Sequence, residues 1–302
     1  SASASAPVGG AAPLFTLQET ERVAAARSDG RAVLAAAAHP SALVVPFLAS
    51  NEALCVRLPC GGLRAAATPL RAVVRAVDGA LGNGAMGLER FTLLGVAQGA
   101  VFCAELREGC ERDAAMAAVA EAAAAMGGEV ENVDPKVAGP QLPPEEAGLV
   151  ALGGAMLAWQ GANRFCGRCG SPTKLVKAGH KAQCAGGGDC KGAAYPTPRP
   201  AVLALATWGG EWLLLGRNTR WPSGVYSLVA GFAELGETPE QCVAREVEEE
   251  AGVAVSASHV SYAGAQPWPF PDSLMLGFEA RACGGRRGAG GPPPAGFTEP
   301  RM

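Results

Sequence analysis

The stretch from Gly231 to Val253, GFAELGETPEQCVAREVEEEAGV, constrains this chain more than any other. Thr238 stands where a helix cap belongs, Pro239 suits the first helical position, and Gln241 completes the spacing of a capping box. Gly252 supplies the left-handed residue that stops the helix. Residues 239–251 therefore read as one helix. At 100° per residue, Glu246, Glu249 and Glu250 fall within a wedge of about 100°, with Arg245 beside them and Val247 and Ala251 turned elsewhere. Like charges at these spacings cost a bare helix roughly 0.2–0.5 kcal/mol per pair, so the cluster opposes the local fold unless a cation answers it. Oxygen ligands without histidine suit Mg2+ or Mn2+. The bland alternative is a solvated acidic face.

The same stretch resembles the Nudix box. Gly231, Glu237, Arg245, Glu246, Val247, Glu249, Glu250, Gly252 and Val253 occupy its specified positions. The resemblance implies an α/β (α+β) fold, a Nudix α/β/α sandwich with a mixed sheet, and a hydrolase acting on phosphorus-containing anhydrides. It further implies that the carbonyl of Ala230 with Glu246, Glu249 and Glu250 holds catalytic magnesium or manganese, and that Arg245 orients the carboxylates. Glu249 or Glu246 takes the proton of the attacking water or holds the metal that lowers its pKa; sequence does not separate these two jobs.

A chain of 302 residues, 49% hydrophobic and 18% charged, has room for two domains and sizeable cores. Its net charge of −3 speaks against bulk nucleic-acid or anionic-membrane binding, and no apolar run reaches the length of a bilayer span. Ten cysteines without a secretory apolar region point to a reducing, intracellular compartment; cytosol, peroxisome and plastid are not separable from the sequence.

In such a compartment spaced cysteines hold metal more often than one another. Cys166-Gly-Arg-Cys169, then Cys184 and Cys190, have the spacing of two knuckles closing a tetrahedral Zn2+ site, structural because no position is left open. Disulfides are the alternative chemistry, and His180 the alternative ligand, since the second pair is wider than the first. The surrounding cations Arg164, Arg168, Lys174, Lys177, Lys181 and Lys191 are not interleaved with aromatics as single-strand binding would require, though they can touch phosphate.

The remaining chain organises around these two motifs. Residues 1–16 lack charge and periodicity and read as a disordered tail or as what remains of a targeting segment. Within 17–130, Leu43–Leu48, Ala53–Leu58 and Phe91–Val96 read as strands, Gln98-Gly99 as a hairpin turn and 111–126 as an Ala-rich helix; no spacing there is catalytic. The Gly/Pro-rich run 127–144 reads as linker, so 131–163 is linker and helix, the helix covering 145–159. The zinc ribbon then occupies 164–195 and the Nudix domain 196–283. Its strands are expected at 201–207, 212–216, 226–230, 260–265 and 274–282, with a hairpin turn at Gly209-Gly210. Residues 284–302 read as a disordered Gly/Pro-rich tail.

A second diagnostic stretch runs Gln266-Pro267-Trp268-Pro269-Phe270-Pro271-Asp272-Ser273. Alternate prolines forbid a central strand and predict a rigid extended loop presenting Gln266, Trp268 and Phe270, a shape suited to a flat ring; the bland reading is a Pro-rich turn with aromatics as core anchors. This octamer resembles the SQPWPFPxS motif of NADH pyrophosphatases, with Ala265 replacing the first Ser. Together with the ribbon and the box, it identifies 164–282 as similar to that family, and 17–130 loosely resembles its variable N-terminal domain. The resemblance implies Mg2+-dependent hydrolysis of NADH, and of NAD+ and NADPH, to NMNH and AMP by a homodimer. Tyr195 and Phe232 would stack on the nicotinamide, Tyr195 from within the chain or across the dimer interface, and residues 266–273 would line the dinucleotide pocket. NAD-cap removal from RNA uses the same bond and pocket. A rival from another class is a binding or regulatory module with a weakened site, because relatives usually continue past 282 into a further acidic residue and a closing helix.

Overall fold

Alternation of two apolar sets along the central strands of the N-terminal part dictates a sheet covered on both faces. The computed structural model describes residues 26–49, 51–81, 90–96, 99–106, 108–210, 212–282 and 297–298. Strands β1 (Leu43–Ala49), β2 (Glu52–Arg57), β3 (Leu63–Ala65), β4 (Thr68–Pro69), β5 (Thr92–Val96), β6 (Ala100–Glu105) and β7 (Glu129–Val133) form one sheet with the path β3-β2-β1-β6-β5. β1 and β6 run parallel, and β5 pairs antiparallel with β6; Gln98 of the expected turn lies outside the described residues.

On this sheet Val45, Phe47, Ala53, Cys55, Leu94 and Cys103 join one core, while Val44, Leu54, Val56, Leu93 and Phe102 join the other. α5 (Pro144–Ala162) covers the first face through Ala147, Val150 and Leu157. On the second lie α1 (Gly30–Ala38), α2 (Leu70–Leu81) and α3 (Cys110–Ala125), the latter two contributing Leu70, Val73, Ala115 and Val119.

The linker expected at 127–144 is instead part of this body. β7 pairs antiparallel with β2 over Ala53–Arg57, α4 (Pro135–Ala138) follows, and Val133, Ala138 and Leu142 are buried. Its Gly and Pro residues mark tight joins between short elements, which hide the periodicity a longer strand would show.

The ribbon is a three-stranded sheet in the order β10-β9-β8, with β8 at Thr173–Val176, β9 at Lys181–Cys184 and β10 at Ala193–Ala194. Two compact units divide the chain: residues to Thr197 with Pro269–Asp272, and Pro198–Trp268 with Ser273 onward.

In the second unit β11 (Arg199–Trp208), β12 (Trp212–Leu214), β13 (Val229–Phe232), β14 (Val255–Trp268), β15 (Ser273–Ala282) and β16 (Phe297–Thr298) form a mixed sheet, with β15 parallel to β11. α6 (Pro239–Ala251) packs on it, and Cys242, Val243 and Val247 meet Val202, Ala204, Phe278 and Ala280 in one core. Two expectations are corrected here. The octamer is not a free loop, since Gln266–Trp268 end β14 paired to Ser273–Met275; β14 lies at the sheet edge, where Pro267 disturbs no second neighbour. The tail expected at 284–302 includes β16, whose Phe297 and Thr298 pair antiparallel with Leu214 and Leu213. Residues 1–16, 284–296 and 299–302 lie outside the described residues. No helix among the described residues is long and apolar enough to cross a membrane.

Candidate functional site

α6 begins and ends on the local signals its sequence carries. Thr238 and Gln241 cap reciprocally, the Gln241 amide donating to Thr238 Oγ1 at 3.3 Å and the Thr238 amide to Gln241 Oε1 at 2.8 Å, while Gly252 closes the helix at φ 64°. Val243 and Val247 anchor its inner side. The polar side then faces the end of β13.

There Arg245 is the node. Its Nε donates to Glu237 Oε1 at 2.7 Å and its Nη2 to Glu237 Oε2 at 3.0 Å, a two-armed grip that fits the planar fork. Nη1 donates to Glu246 Oε1 at 2.9 Å and Glu249 Oε2 at 3.1 Å, and Nη2 reaches the Phe232 carbonyl at 3.0 Å. One guanidinium thus ties a loop, a helix and a strand end together. Its hydrogen bonds hold the Glu237 carboxyl down to about 2, helped by the Glu234 amide at 2.9 Å. Beneath it, burial pushes the Cys242 thiol up to about 11, and Sγ accepts from Nη2 at 3.5 Å.

Gly231 lets Glu246 into this arrangement. A Cβ at Gly231 would overlap the Glu246 carboxyl group, so the carboxylate packs directly on the β13 backbone beside Ala230, which pairs with Leu203 of β11. Glu250 has no such partner among the described residues; desolvation, then the Glu246 charge, raise its carboxyl above the ordinary carboxylate value. The Ala230 carbonyl and the Glu246 and Glu250 carboxylates are oxygen donors of the kind a hard divalent cation takes, although the glutamates are not gathered around one point as the ribbon cysteines are.

Of the residues expected at the dinucleotide, Phe232 is 49% exposed and the Arg199 guanidinium lies 4.9 Å from its ring centroid. Tyr195, 53% exposed, belongs to the other unit with Lys181 Nζ 5.7 Å from its ring. The octamer is likewise divided: Gln266, Pro267, Trp268 and Ser273 lie in the β14–β15 ladder, whereas Pro269, Phe270, Pro271 and Asp272 group with the first unit. Phe270 packs on the core that contains Phe47, with Lys136 Nζ 5.6 Å from its ring. The residue without an assigned role in the sequence is Glu237. Its signal was its place in the box, but only the fold shows it closing the Arg245 fork.

In the ribbon the ligand atoms of Cys166, Cys169, Cys184 and Cys190 all lie within 4.8 Å of one another, the one such gathering of Cys, His, Asp or Glu among the described residues. Sγ atoms of Cys169 and Cys184 are 3.5 Å apart, and those of Cys166 and Cys190 3.9 Å. Tetrahedral Zn–S bonds of about 2.3 Å set sulfurs roughly 3.8 Å apart, so the spacing fits zinc. Hydrogen bonds from Ser171, side chain first, hold the Cys169 thiol down to about 6. His180 is not a ligand, its Nε2 lying 2.7 Å from the Leu93 carbonyl and its Nδ1 3.3 Å from Arg27 Nη1. These cysteines are free thiols.

Residues 197–291 match the NUDIX domain family and residues 162–191 the NADH pyrophosphatase zinc ribbon domain. Among curated proteins, the NAD-capped RNA hydrolase NudC of Pseudomonas putida is 45% identical over 127 residues, covering 42% of this chain and 44% of that protein. The NAD-capped RNA hydrolase NUDT12 of Homo sapiens is 44% identical over 149 residues, 47% of this chain and 32% of that protein. The matched region thus spans less than half the length of these relatives. Among solved structures, a NUDIX hydrolase from Nitrosomonas europaea aligns with 25% identity and a TM-score of 0.34, covering 40% of this chain and 68% of that one.

Proposed function

We propose that this chain, whose residues 197–291 match the NUDIX domain family, opens the pyrophosphate of NADH to give NMNH and AMP, and that of the related dinucleotides NAD+, giving NMN and AMP, and NADPH, giving NMNH and adenosine bisphosphate. The observation that carries this reading is the Arg245 node, which holds Glu246 against the Gly231 backbone and reaches Glu249 from the same nitrogen, on the helix that also carries the desolvated Glu250. Ala230, Glu246, Glu249 and Glu250 hold Mg2+ or Mn2+ in this reading. When bound, the divalent ions neutralise the pyrophosphate charge and acidify water.

The chain's own residues do the rest. Arg245 keeps the carboxylates oriented before substrate arrives, which lowers the reorganisation left for the transition state. Glu249 or Glu246 accepts the proton of the attacking water. Phe232 and Tyr195 hold the nicotinamide by stacking, with Tyr195 reaching it within a homodimer. Gln266, Trp268 and Ser273 line the dinucleotide pocket. Cys166, Cys169, Cys184 and Cys190 close a structural Zn2+ site.

A second substrate, NAD-capped RNA, presents the same bond, and the activity for which the two relatives are named favours it. No observation at this site favours a weakened binding module. The test is hydrolysis by the full chain in Mg2+, with NADH, NAD-capped RNA and plain nucleoside triphosphates compared at equal concentration. Release of NMNH and AMP is expected, faster than any triphosphate turnover. Comparable rates on triphosphates would remove the substrate assignment.

A further inference from the structure

Strand register sorts the side chains of the second unit's sheet into two faces. Phe232 of β13 pairs with Ala201 of β11, Ala201 with Met275 of β15, and Met275 with Gln266 of β14; two residues along, Arg199 pairs with Ser273 and Ser273 with Trp268. Paired residues share a face, as do residues two apart in one strand, so all of these stand on the same side. The alternate positions take the other side, where Val202 and Ala204 join the core with α6 and Gly231 meets Glu246. The stacking ring proposed for the nicotinamide therefore lies across the sheet from the acidic helix, and Arg199 lies on the ring's side.

Arg199, exposed at the start of β11, is the diagonal neighbour of Phe232, which is why its guanidinium reaches to 4.9 Å from the ring centroid. Glu279 and Arg281 share this face but follow Ser273 by six and eight residues, roughly 20 Å or more away at about 3.3 Å per residue. Arg245 also touches Phe232, at its carbonyl, but that charge is answered by Glu237 and Glu246. The cation that the ring itself meets is Arg199.

The bare face of a phenylalanine attracts cations, so alone it would favour the oxidised nicotinamide, which carries a positive charge, over the neutral dihydro ring. Arg199 opposes that preference, because its guanidinium already draws on the ring's negative face and repels a second cation. A nicotinamide stacked about 3.5 Å beyond Phe232 on its opposite face lies roughly 8 Å from the guanidinium, and one stacked on the same side lies nearer. At roughly 8 Å the repulsion discriminates about 2- to 30-fold as the effective dielectric constant falls from about 80 to about 20. We infer that Arg199 is a specificity-determining residue that turns this pocket toward NADH and against NAD+ by reading the charge of the nicotinamide rather than by gripping a phosphate. The inference rests on the proposed function for the place of the nicotinamide on Phe232.

The experiment compares kcat/KM of the full chain on NADH and on NAD+ in Mg2+, for the wild type, Arg199→Gln and Arg199→Lys, across a salt series. The wild type should prefer NADH, and the preference should shrink as salt screens the repulsion. Arg199→Gln should lower the NADH to NAD+ ratio at least about 3-fold at low salt, chiefly by a gain on NAD+, and should leave a ratio that salt does not move. Arg199→Lys keeps the charge and should keep a salt-dependent preference. Circular dichroism reports whether each variant is folded, and the wild-type salt series needs no variant at all. No preference for NADH in the wild type, a preference indifferent to salt, an unmoved ratio in folded Arg199→Gln, or equal losses on both substrates, the mark of a phosphate contact, each overturns the inference. Measured as binding, by displacement of fluorescent NADH with NAD+, the same ratio requires no turnover. A chain that cleaves neither dinucleotide but loses its binding preference with Arg199→Gln sinks only the proposed hydrolysis, and one that cleaves NADH with a ratio Arg199 does not move sinks only this inference.

Discussion

Arg245 grips both oxygens of Glu237, at 2.7 and 3.0 Å, while its third nitrogen faces Glu246 and Glu249. Glu237 therefore satisfies most of the fork and leaves one arm to orient two acids. Exchange of Arg245 for Lys keeps the charge but cannot span both oxygens, so a loss of kcat is expected that added Mg2+ does not restore.

The same pair sets an acid limb of stability. In the unfolded chain Glu237 titrates at its ordinary value of 4.5, whereas Arg245 holds it near 2 in the fold. A depressed carboxyl contributes stability that is complete above the unfolded value and lost as the pH falls through the folded one. Stability should therefore rise with pH across this window, and Glu237→Gln should flatten that rise. Urea midpoints measured at several pH values between about 2 and 5 decide the point; parallel curves for the two proteins would contradict it.

For the acidic helix the two readings differ in sign. Glu250→Gln removes a proposed ligand and is expected to lower kcat by orders of magnitude, while slightly stabilising the metal-free fold because Glu250 is desolvated beside Glu246. Glu248 projects about 160° away on the helical wheel, so Glu248→Gln is the silent control. Equal activity of both variants at saturating Mg2+ would leave only a solvated acidic face.

Local chemistry made α6 legible in the sequence. Its cap, first-turn proline and terminal glycine lie within the helix's own length, and residues 239–251 form it as expected. The four cysteines were legible by spacing alone. What could not be read depended on partners distant in sequence. β7 is a strand because β2 offers its edge, Phe270 packs partly buried against the core that contains Phe47, and Glu237 matters because a helix eight residues on presents a guanidinium. None of these leaves a period in the chain.

The ribbon predicts a metal-dependent fold. About one Zn2+ per chain is expected, and Cys166→Ser should lose it together with thermal stability, since structural zinc contributes folding free energy directly. Metal analysis of purified protein answers this; a zinc-free, equally stable wild type would end the claim.

At the ring site, Phe232→Ala and Tyr195→Ala should each raise KM for NADH more than they lower kcat, because stacking acts in ground and transition states alike. Steady-state kinetics in which kcat alone fell would move the nicotinamide elsewhere.

Gly231 gives the sharpest single substitution. It does not have a left-handed φ, so alanine is allowed there by the backbone, and what forbids it is crowding: the new methyl would occupy the space of the Glu246 carboxyl group. Glu246 is held from its other side by Arg245 at 2.9 Å, and a displaced carboxylate would break that bond and shift the arm shared with Glu249. Gly231→Ala should therefore lower kcat at least about 100-fold, the scale on which misplaced catalytic groups act, while circular dichroism and zinc content stay those of the wild type. Gly231→Ala paired with Glu246→Asp shortens the acid by one methylene and returns room to the methyl. Partial recovery of activity in the double variant, relative to Glu246→Asp alone, is the expected outcome. Strict additivity of the two losses would mean that the methyl and the carboxylate do not compete for the same space.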